Sequence, residues 1–503
     1  MNRPVPCAAR RHAHHDRRQW LARALAAAAG LGLPPLSRAE PGVDEPPLPG
    51  TPRLLRLPEP RQAWLDNGLQ VVVAPLPGLP LVTLSLMQRP GGLADPLRLA
   101  GRTAQMAQLR TRGARWQGRA LDATGLARVA EGLGGSLAAG AGLETTHTSL
   151  TITRPQLDTA LQLLGAVVRQ PTLAAAEWSR QRDSEADGLR FALSDPGTLA
   201  GWVGSRAFWG DSVLGSAFTA ASLSRLRLDD LRQAHAAQDR PDGSCLLLTG
   251  DIQLEEALAL AHRHLGGWRR PTSPAPVSPA PGPARPQAPA TVLVDLPGAG
   301  QCAVVVSAPA VGAESPERRV AQLASAVLGT GYRSRLNEAI RIRRGLSYDA
   351  RTALELQAPG GRLSAVSQTA PANAAEVVRL SRQVLTSLAD QPPSAEELAA
   401  RQATLLGGLS RQVETTAGLA GRLADLVARQ RPLDELARIG PELLAVTPEQ
   451  VQALAARDWT PARLRTVVVG DLQAAGDSLR QLDPDALVLS VRQLDLDLPG
   501  LRR

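Results

Sequence analysis

From residue 61 onward, short apolar runs with a two-residue beat alternate with longer stretches of helical spacing. Trp64-Leu65-Asp66-Asn67-Gly68-Leu69 leads into Gln70-Val71-Val72-Val73, and Asn67-Gly68 is a turn signal between two strand-forming runs. Residues 81–87, LVTLSLM, alternate and stop at Pro90-Gly91-Gly92, as a half-buried strand would. Helical periodicity covers 97–109, 122–133 and 155–168, and a strand pair is expected between 134 and 153. A long helical region is expected from 173 to about 208, a further helix over 226–237, and a strand over 244–250 closing at Gly250-Asp251.

Residues 271–290, PTSPAPVSPAPGPARPQAPA, interrupt this pattern with a stiff Pro/Ala/Ser segment that cannot form a packed core. Beyond it the earlier pattern returns. Strand 81–87 has its echo at 303–308, and the helix around Ala104 in that around Ala324. Pro171-Thr172-Leu173 followed by Arg180-Gln181 matches Pro393-Ser394-Ala395 followed by Arg401-Gln402. Leu248-Thr249-Gly250-Asp251 returns as Val468-Val469-Gly470-Asp471. The matched positions stand 220 to 222 residues apart, which indicates a duplicated domain. Strands of antiparallel type with segregated helices predict an α+β fold in each copy. The expected organisation is a leader over 1–39, a Pro-rich spacer over 40–60, a first domain over 61–270, the linker over 271–290, a second domain over 291–481 and a tail over 482–503.

Composition changes this picture little. The hydrophobic share is 44% and the charged share 20%, values ordinary for a globular chain of several domains. All 56 basic residues are Arg, and aromatics are only 3%, so cores must be built from Leu, Val and Ala, and stacking platforms for bases are not expected. The net charge of +9 is concentrated at the front: residues 1–39 carry seven Arg against Asp16, leaving +3 for the rest. That remainder makes no case for a nucleic-acid partner. Arg17-Arg18-Gln19-Trp20-Leu21, an Ala/Leu run ending near Leu33 and Ser37-Arg38-Ala39 follow the three-part plan of an export signal, of twin-arginine type, although Asp16 stands where Ser or Thr is usual. The apolar run falls short of the roughly 20 residues a membrane span needs, so an exported, periplasmic-type location without stable membrane insertion is expected. Cys7 lies in the leader. Cys245 and Cys302 sit in apolar strand-like runs and read as buried free thiols, with no base near either in sequence to make it a nucleophile.

Residues 329–350, GTGYRSRLNEAIRIRRGLSYDA, run from a glycine turn into a short helix that stops at Gly345 and leaves in a strand. On a helical projection from Leu336 the apolar arc holds Leu336, Ala339, Ile340 and Ile342, with Asn337, Glu338, Arg341 and Arg344 opposite. Arg341 then reads as a solvated residue or a cation placed near the helix C-terminus. Tyr348 is in phase with Leu346 and Ala350 in the expected strand, which reads as a core aromatic.

Three motifs together resemble the pitrilysin/insulinase family of zinc peptidases over roughly residues 60–480: Asn-Gly-Leu-Gln-Val-Val-Val near the start, the Gly134-Gly135-Ser136-Leu137 strand, and Gly-x-x-x-Arg-Ser-Arg-Leu ending in Arg-Gly-Leu-Ser-Tyr. The bacterial forms related to mitochondrial processing peptidase are closest in length. The resemblance implies two α/β-roll domains with mainly antiparallel sheets flanked by helices, forming one half-shell of a clamshell. Catalytic members carry H-x-x-E-H on a helix of the first domain, where two His on one face bind zinc and the Glu acts as base. Here the matching helix, GRTAQMAQL, has Ala104 and Gln108 in the His positions and Ala107 in the Glu position. The family's third ligand, a Glu, falls between Glu185 and Gly188.

No other metal site suggests itself. His12, His14 and His15 lie in the leader, His262 and His264 point to different faces of a helix, His147 reads as packed or hydrogen-bonded within a strand, and His235 stands alone. The resemblance also implies an Arg-x6-Tyr pair from the second domain that completes the active site, and Arg341 with Tyr348 has that spacing. Zinc is therefore expected not in this chain but in a homologous H-x-x-E-H-bearing partner, with a peptide as substrate. A pseudo-peptidase serving as scaffold or peptide-binding subunit is the alternative reading.

Overall fold

The structure is a computed structural model and describes residues 57–274, 286–358 and 360–502. The leader, most of the 40–60 spacer and part of the proline-rich stretch lie outside those residues. In the first half, β1 (Arg61–Trp64) folds back on β2 (Gln70–Pro75) around Asn67-Gly68, with Gly68 at φ 91°. There follow β3 (Leu81–Gln88), β4 (Gly113–Trp116), β5 (Arg119–Asp122), β6 (Ala138–Ala141), β7 (Thr146–Thr153) and β8 (Ser244–Gly250). The second half supplies β9 (Thr291–Asp295), β10 (Cys302–Ala310), β11 (Ala350–Leu356), β12 (Gly361–Thr369), β13 (Arg465–Gly470) and β14 (Leu487–Ser490).

Two six-stranded sheets result, ordered β1-β2-β8-β3-β7-β6 and β11-β12-β10-β13-β9-β14. With the outer strands β1 and β14 set aside, the two orders are the same. β2 pairs parallel with β8 and β9 parallel with β13, while the β3, β6, β7, β10, β11 and β12 pairings are antiparallel. The fold is thus α+β with antiparallel-rich sheets flanked by helices, as the patterning predicts. Residues 482–503, set apart in the sequence as a tail, contribute β14, which pairs parallel with β9.

Each sheet keeps one face for helices of its own half. Helices Leu157–Arg169 and Leu254–Leu265 pack with Val71, Leu84 and Leu248, and helices Arg318–Gly329 and Ala374–Asp390 pack with Val304, Val306 and Val468. The other face of each sheet is covered by a helix from the opposite half. Leu199 and Val203 of helix Pro196–Trp209 lie on Val292, Val305 and Val469 of the second sheet. Leu419 and Leu423 of helix Thr416–Ala428 lie on Val72, Ala74 and Leu247 of the first. Thr416 adds polar ties, taking hydrogen bonds from Thr83 Oγ1 at 2.8 Å and, on its carbonyl, from Thr249 Oγ1 at 2.7 Å. The C-terminal segment returns to the same junction: Arg206 Nε donates to the Leu496 carbonyl at 2.9 Å, and Arg225 pairs with Asp497 at 2.6 Å.

The helical stretch expected over 173–208 is two helices, Ala175–Ala192 and Pro196–Trp209. Pro196 cannot continue the first helix and starts the second, where Asp195 accepts from Thr198 N at 2.7 Å. The helix expected over 97–109 begins only at Arg102, after Pro96 and a Gly101 held at φ 90°. The β4–β5 hairpin is an addition to the expected elements. Its signal is Gln117-Gly118, whose φ values of 49° and 76° suit a tight two-residue turn. Among the described residues no helix is long and apolar enough to cross a membrane.

Candidate active-site loop

Helix Arg318–Gly329 ends against β11, and the approach requires glycine. A Cβ on Gly329 would stand 2.2 Å from Thr352 N. Gly331 then turns the chain at φ 83°. Arg401, from helix Ala395–Val413, donates to the Thr330 carbonyl at 2.7 Å and the Arg333 carbonyl at 2.9 Å, so the backbone on both sides of Tyr332 is tied down. Buried Asn337 bridges the two ends of the loop. Its Nδ2 donates to Gly331 O at 3.1 Å, and its Oδ1 accepts from Ala350 N at 3.3 Å.

The segment Asn337–Ile342 is a π-turn, with Arg343 N donating to Glu338 O five residues back at 3.1 Å. Its turn is wider than the 3.6 residues assumed by an α-helical projection. The faces consequently differ from the expected ones: Asn337 is buried at 5% exposure, whereas Ile342 is exposed at 39%. Tyr348 is likewise neither in a strand nor in the core. Gly345, at φ 63°, ends the helix, β11 starts only at Ala350, and the Tyr348 ring is 84% exposed. Its backbone is nonetheless fixed. Thr369 Oγ1 donates to Leu346 O at 2.5 Å, Ser347 Oγ lies 2.6 Å from Gln368 O, and Ser367 Oγ donates to Asp349 O at 3.0 Å.

The loop brings Arg341 and Tyr348 together. The guanidinium carbon of Arg341 stands 4.5 Å from the Tyr348 ring centroid and 5.2 Å from that of Tyr332, itself 60% exposed. These are the chain's only two tyrosines. Each contact is a cation–π interaction worth about 0.5–1 kcal/mol at an exposed site. The nearby carboxylates are taken by other cations: Glu338 by Arg343 at 2.9 Å, Glu376 by Arg344 at 3.2 Å and Glu397 by Arg335 at 2.8 Å. Among the described residues the Arg341 guanidinium has neither a carboxylate nor a hydrogen-bond partner, and neither tyrosine hydroxyl is engaged. A fixed cation and a phenol with unspent donors can bind a peptide carbonyl or an oxyanion. An open groove of about 990 Å³ begins at Tyr332 and Ile342 and runs past Glu338 and Arg343 toward Leu380 and Val384.

Helix Arg102–Arg110 carries the positions of the zinc motif. Ala107 is buried and Ala104 half-buried, and neither has a donor atom for a metal. Gln108 Oε1 lies 3.5 Å from Gln181 Nε2, which also donates to Gln105 Oε1 at 2.7 Å and Gln105 O at 3.0 Å. Gln181, on helix Ala175–Ala192, is thus the residue that reaches this helix, while Glu185 lies one turn beyond it, half-buried. Three amides and two alanines do not fit zinc, which takes deprotonated or imidazole ligands. At the end of the same helix Arg110 is fully buried, hydrogen-bonded to Gln88 Oε1 at 2.6 Å and Gln238 Oε1 at 2.8 Å, and burial pushes its pKa down to about 9.

Among the described residues no three His, Cys, Asp or Glu side chains cluster closely enough to hold a metal. His264 instead meets Asp158 at 3.0 Å, His235 bonds the Val168 carbonyl at 2.9 Å, and exposed His147 lies across the ladder over Gly140. Cys245 and Cys302 are free and buried, and burial raises their thiols to about 12 and about 11. That chemistry is wrong for a nucleophile.

Residues 225–405 match the family described as the peptidase M16 inactive domain. A protein described as an uncharacterized zinc protease of Mycobacterium tuberculosis is 25% identical over 419 residues, covering 82% of this chain and 93% of that one. Among solved structures, a peptidase M16 inactive domain from Pseudomonas fluorescens superposes with a TM-score of 0.74 at 22% identity, covering 82% of this chain and 97% of that one. A protease from Helicobacter pylori gives a TM-score of 0.73 at 18% identity, with 82% and 100% covered. The chain is thus similar to the peptidase M16 (pitrilysin/insulinase) family, through an inactive-domain match over residues 225–405 and through relatives described as zinc proteases, and its own first-half helix lacks the H-x-x-E-H motif.

Proposed function

We propose that this chain is the non-catalytic, Arg/Tyr-bearing subunit of an exported two-chain zinc peptidase. The homologous partner carries H-x-x-E-H and with it the metal and the general base. This chain presents Arg341 and Tyr348 to the substrate across the interface of two half-shells. The observation that carries this reading is a guanidinium held by ring faces with no donor spent on the described residues, beside an exposed phenol, in a chain whose own zinc-motif helix offers only Ala104, Ala107 and Gln108. Arg341 orients a peptide carbonyl and, with the Tyr348 hydroxyl, stabilises the charge that develops on its oxygen. The twin-arginine-type leader supports export.

Co-expression with an H-x-x-E-H homologue, read by hydrolysis of fluorescence-quenched casein, tests the reading. Arg341→Ala and Tyr348→Phe should each lower kcat/KM on the order of 10²-fold, the scale for removal of one oxyanion donor. Unchanged hydrolysis in both variants would refute the mechanism and leave a scaffold role.

A further inference from the structure

We infer that Tyr332 is a positioning residue for Arg341, and that the two tyrosines fix the guanidinium so that none of its hydrogen bonds is spent on the protein. The inference rests on the proposed role of Arg341. A long arginine side chain is normally immobilised by a carboxylate, as Arg343 is by Glu338 and Arg335 by Glu397 in the same loop region. Such an anchor occupies the donor fork and neutralises the charge. A ring face does neither, because it attracts the flat side of the cation and leaves the N–H groups pointing outward in its plane. Arg341 meets two such faces, at 4.5 Å and 5.2 Å.

Tyr332 is well placed for the task. It is 60% exposed and so contributes little to the core. Its peptide is nevertheless held by Arg401 on the Thr330 and Arg333 carbonyls and by Asn337 on Gly331 O. Asn337 also binds Ala350 N, two residues after Tyr348, so one buried amide sets the spacing of the two segments that carry the rings. A rigid backbone under an exposed aromatic ring is the arrangement expected when the ring serves a neighbour rather than the core.

The test is a double-mutant cycle in the co-expressed complex, with quenched casein as substrate. Tyr332→Leu should lower kcat/KM about threefold to tenfold, mainly through kcat, while Tyr332→Phe, which keeps the ring face, stays within about twofold of the parent. In an Arg341→Ala background Tyr332→Leu should cost nothing more. A second measurement needs neither partner nor substrate: the upfield ring-current shift of the Arg341 side-chain protons in the isolated chain should shrink in Tyr332→Leu and persist in Tyr332→Phe. Parent-like activity of Tyr332→Leu, or losses that multiply independently of Arg341, would overturn the inference. Full activity of Arg341→Ala would instead overturn the proposed role of the loop, so the two failures can be told apart.

Discussion

The exchange of helices between the halves makes a strong thermodynamic prediction. Leu423, fully buried, is seated by the second half on the first sheet, and Leu199, fully buried, is seated by the first half on the second. Truncation of either to Ala removes about three methylene equivalents, or about 2.4 kcal/mol of transfer free energy. The cavity left behind adds to this, for a total of about 3–5 kcal/mol. Without the lent helix each sheet would expose a face lined with Val and Leu, so neither half can lose its partner and keep its own core. Both variants should therefore destabilise the whole molecule rather than one half. With an m-value of about 3 kcal/mol/M, each should move the urea midpoint down by about 1–1.7 M. Trp268 lies in the core of the first sheet and Trp459 in that of the second, and with the chain's other six tryptophans replaced by Phe they leave one fluorescent reporter per half. In variants that lack one or the other reporter, the two transitions should coincide and shift together. A Leu423→Ala protein that unfolds in two steps, with only the Trp459 signal displaced, would refute the reasoning.

Two further outcomes follow from the packing. Cys245 and Cys302 should resist a thiol reagent at pH 8 in the folded chain carrying Cys7→Ser, and react fully in urea. Their raised pKa values also mean that between about pH 9 and pH 11–12 the unfolded thiols ionise while the folded ones stay protonated, so stability should fall as the pH climbs through that window. Gly329→Ala should force the helix end away from Thr352 N, costing about 1–3 kcal/mol and lowering partner-dependent activity in parallel. Gly408→Ala, whose Cβ meets nothing within 4 Å, should leave melting and activity unchanged or slightly raise the former.

The strands and the repeat were legible because period-two alternation and a constant offset survive in one dimension. The spacing of Arg341 and Tyr348 was legible as well, but not their arrangement. Tyr348 keeps phase with Leu346 and Ala350, yet Gly345 at positive φ and the bonds from Ser347, Ser367 and Thr369 hold it off the strand. The exchanged faces of Asn337 and Ile342 arise from a π-turn, which no α-helical projection anticipates. Tyr332 carries no periodic signal at all, since its importance depends on a contact nine residues away. The helix exchange is invisible for a related reason: the apolar stripe of residues 416–428 demands burial but does not say against which sheet.

The division of labour between the halves has a physical logic. The helix of the first half that would hold a metal is built into the molecule instead, by alanines and by amides that bond one another, and it ends in a fully buried arginine that must keep both of its glutamine acceptors. Ala104→His, Ala107→Glu and Gln108→His together would bring ionisable groups into a helix packed against Gln181, an amide, while Glu185 lies one turn beyond the residue that reaches this helix. Zinc affinity should therefore not return with the triple substitution alone. In the second half the opposite holds: the Arg341 loop is pinned through its backbone by Arg401, Asn337 and Thr369, while Tyr348 is exposed and the Arg341 guanidinium spends no hydrogen bond on the described residues. A rigid frame with free donors gains free energy only when something external supplies the acceptor. The burial of the first helix and the unspent donors of the second loop are the two features on which the proposed partnership with a second protein rests.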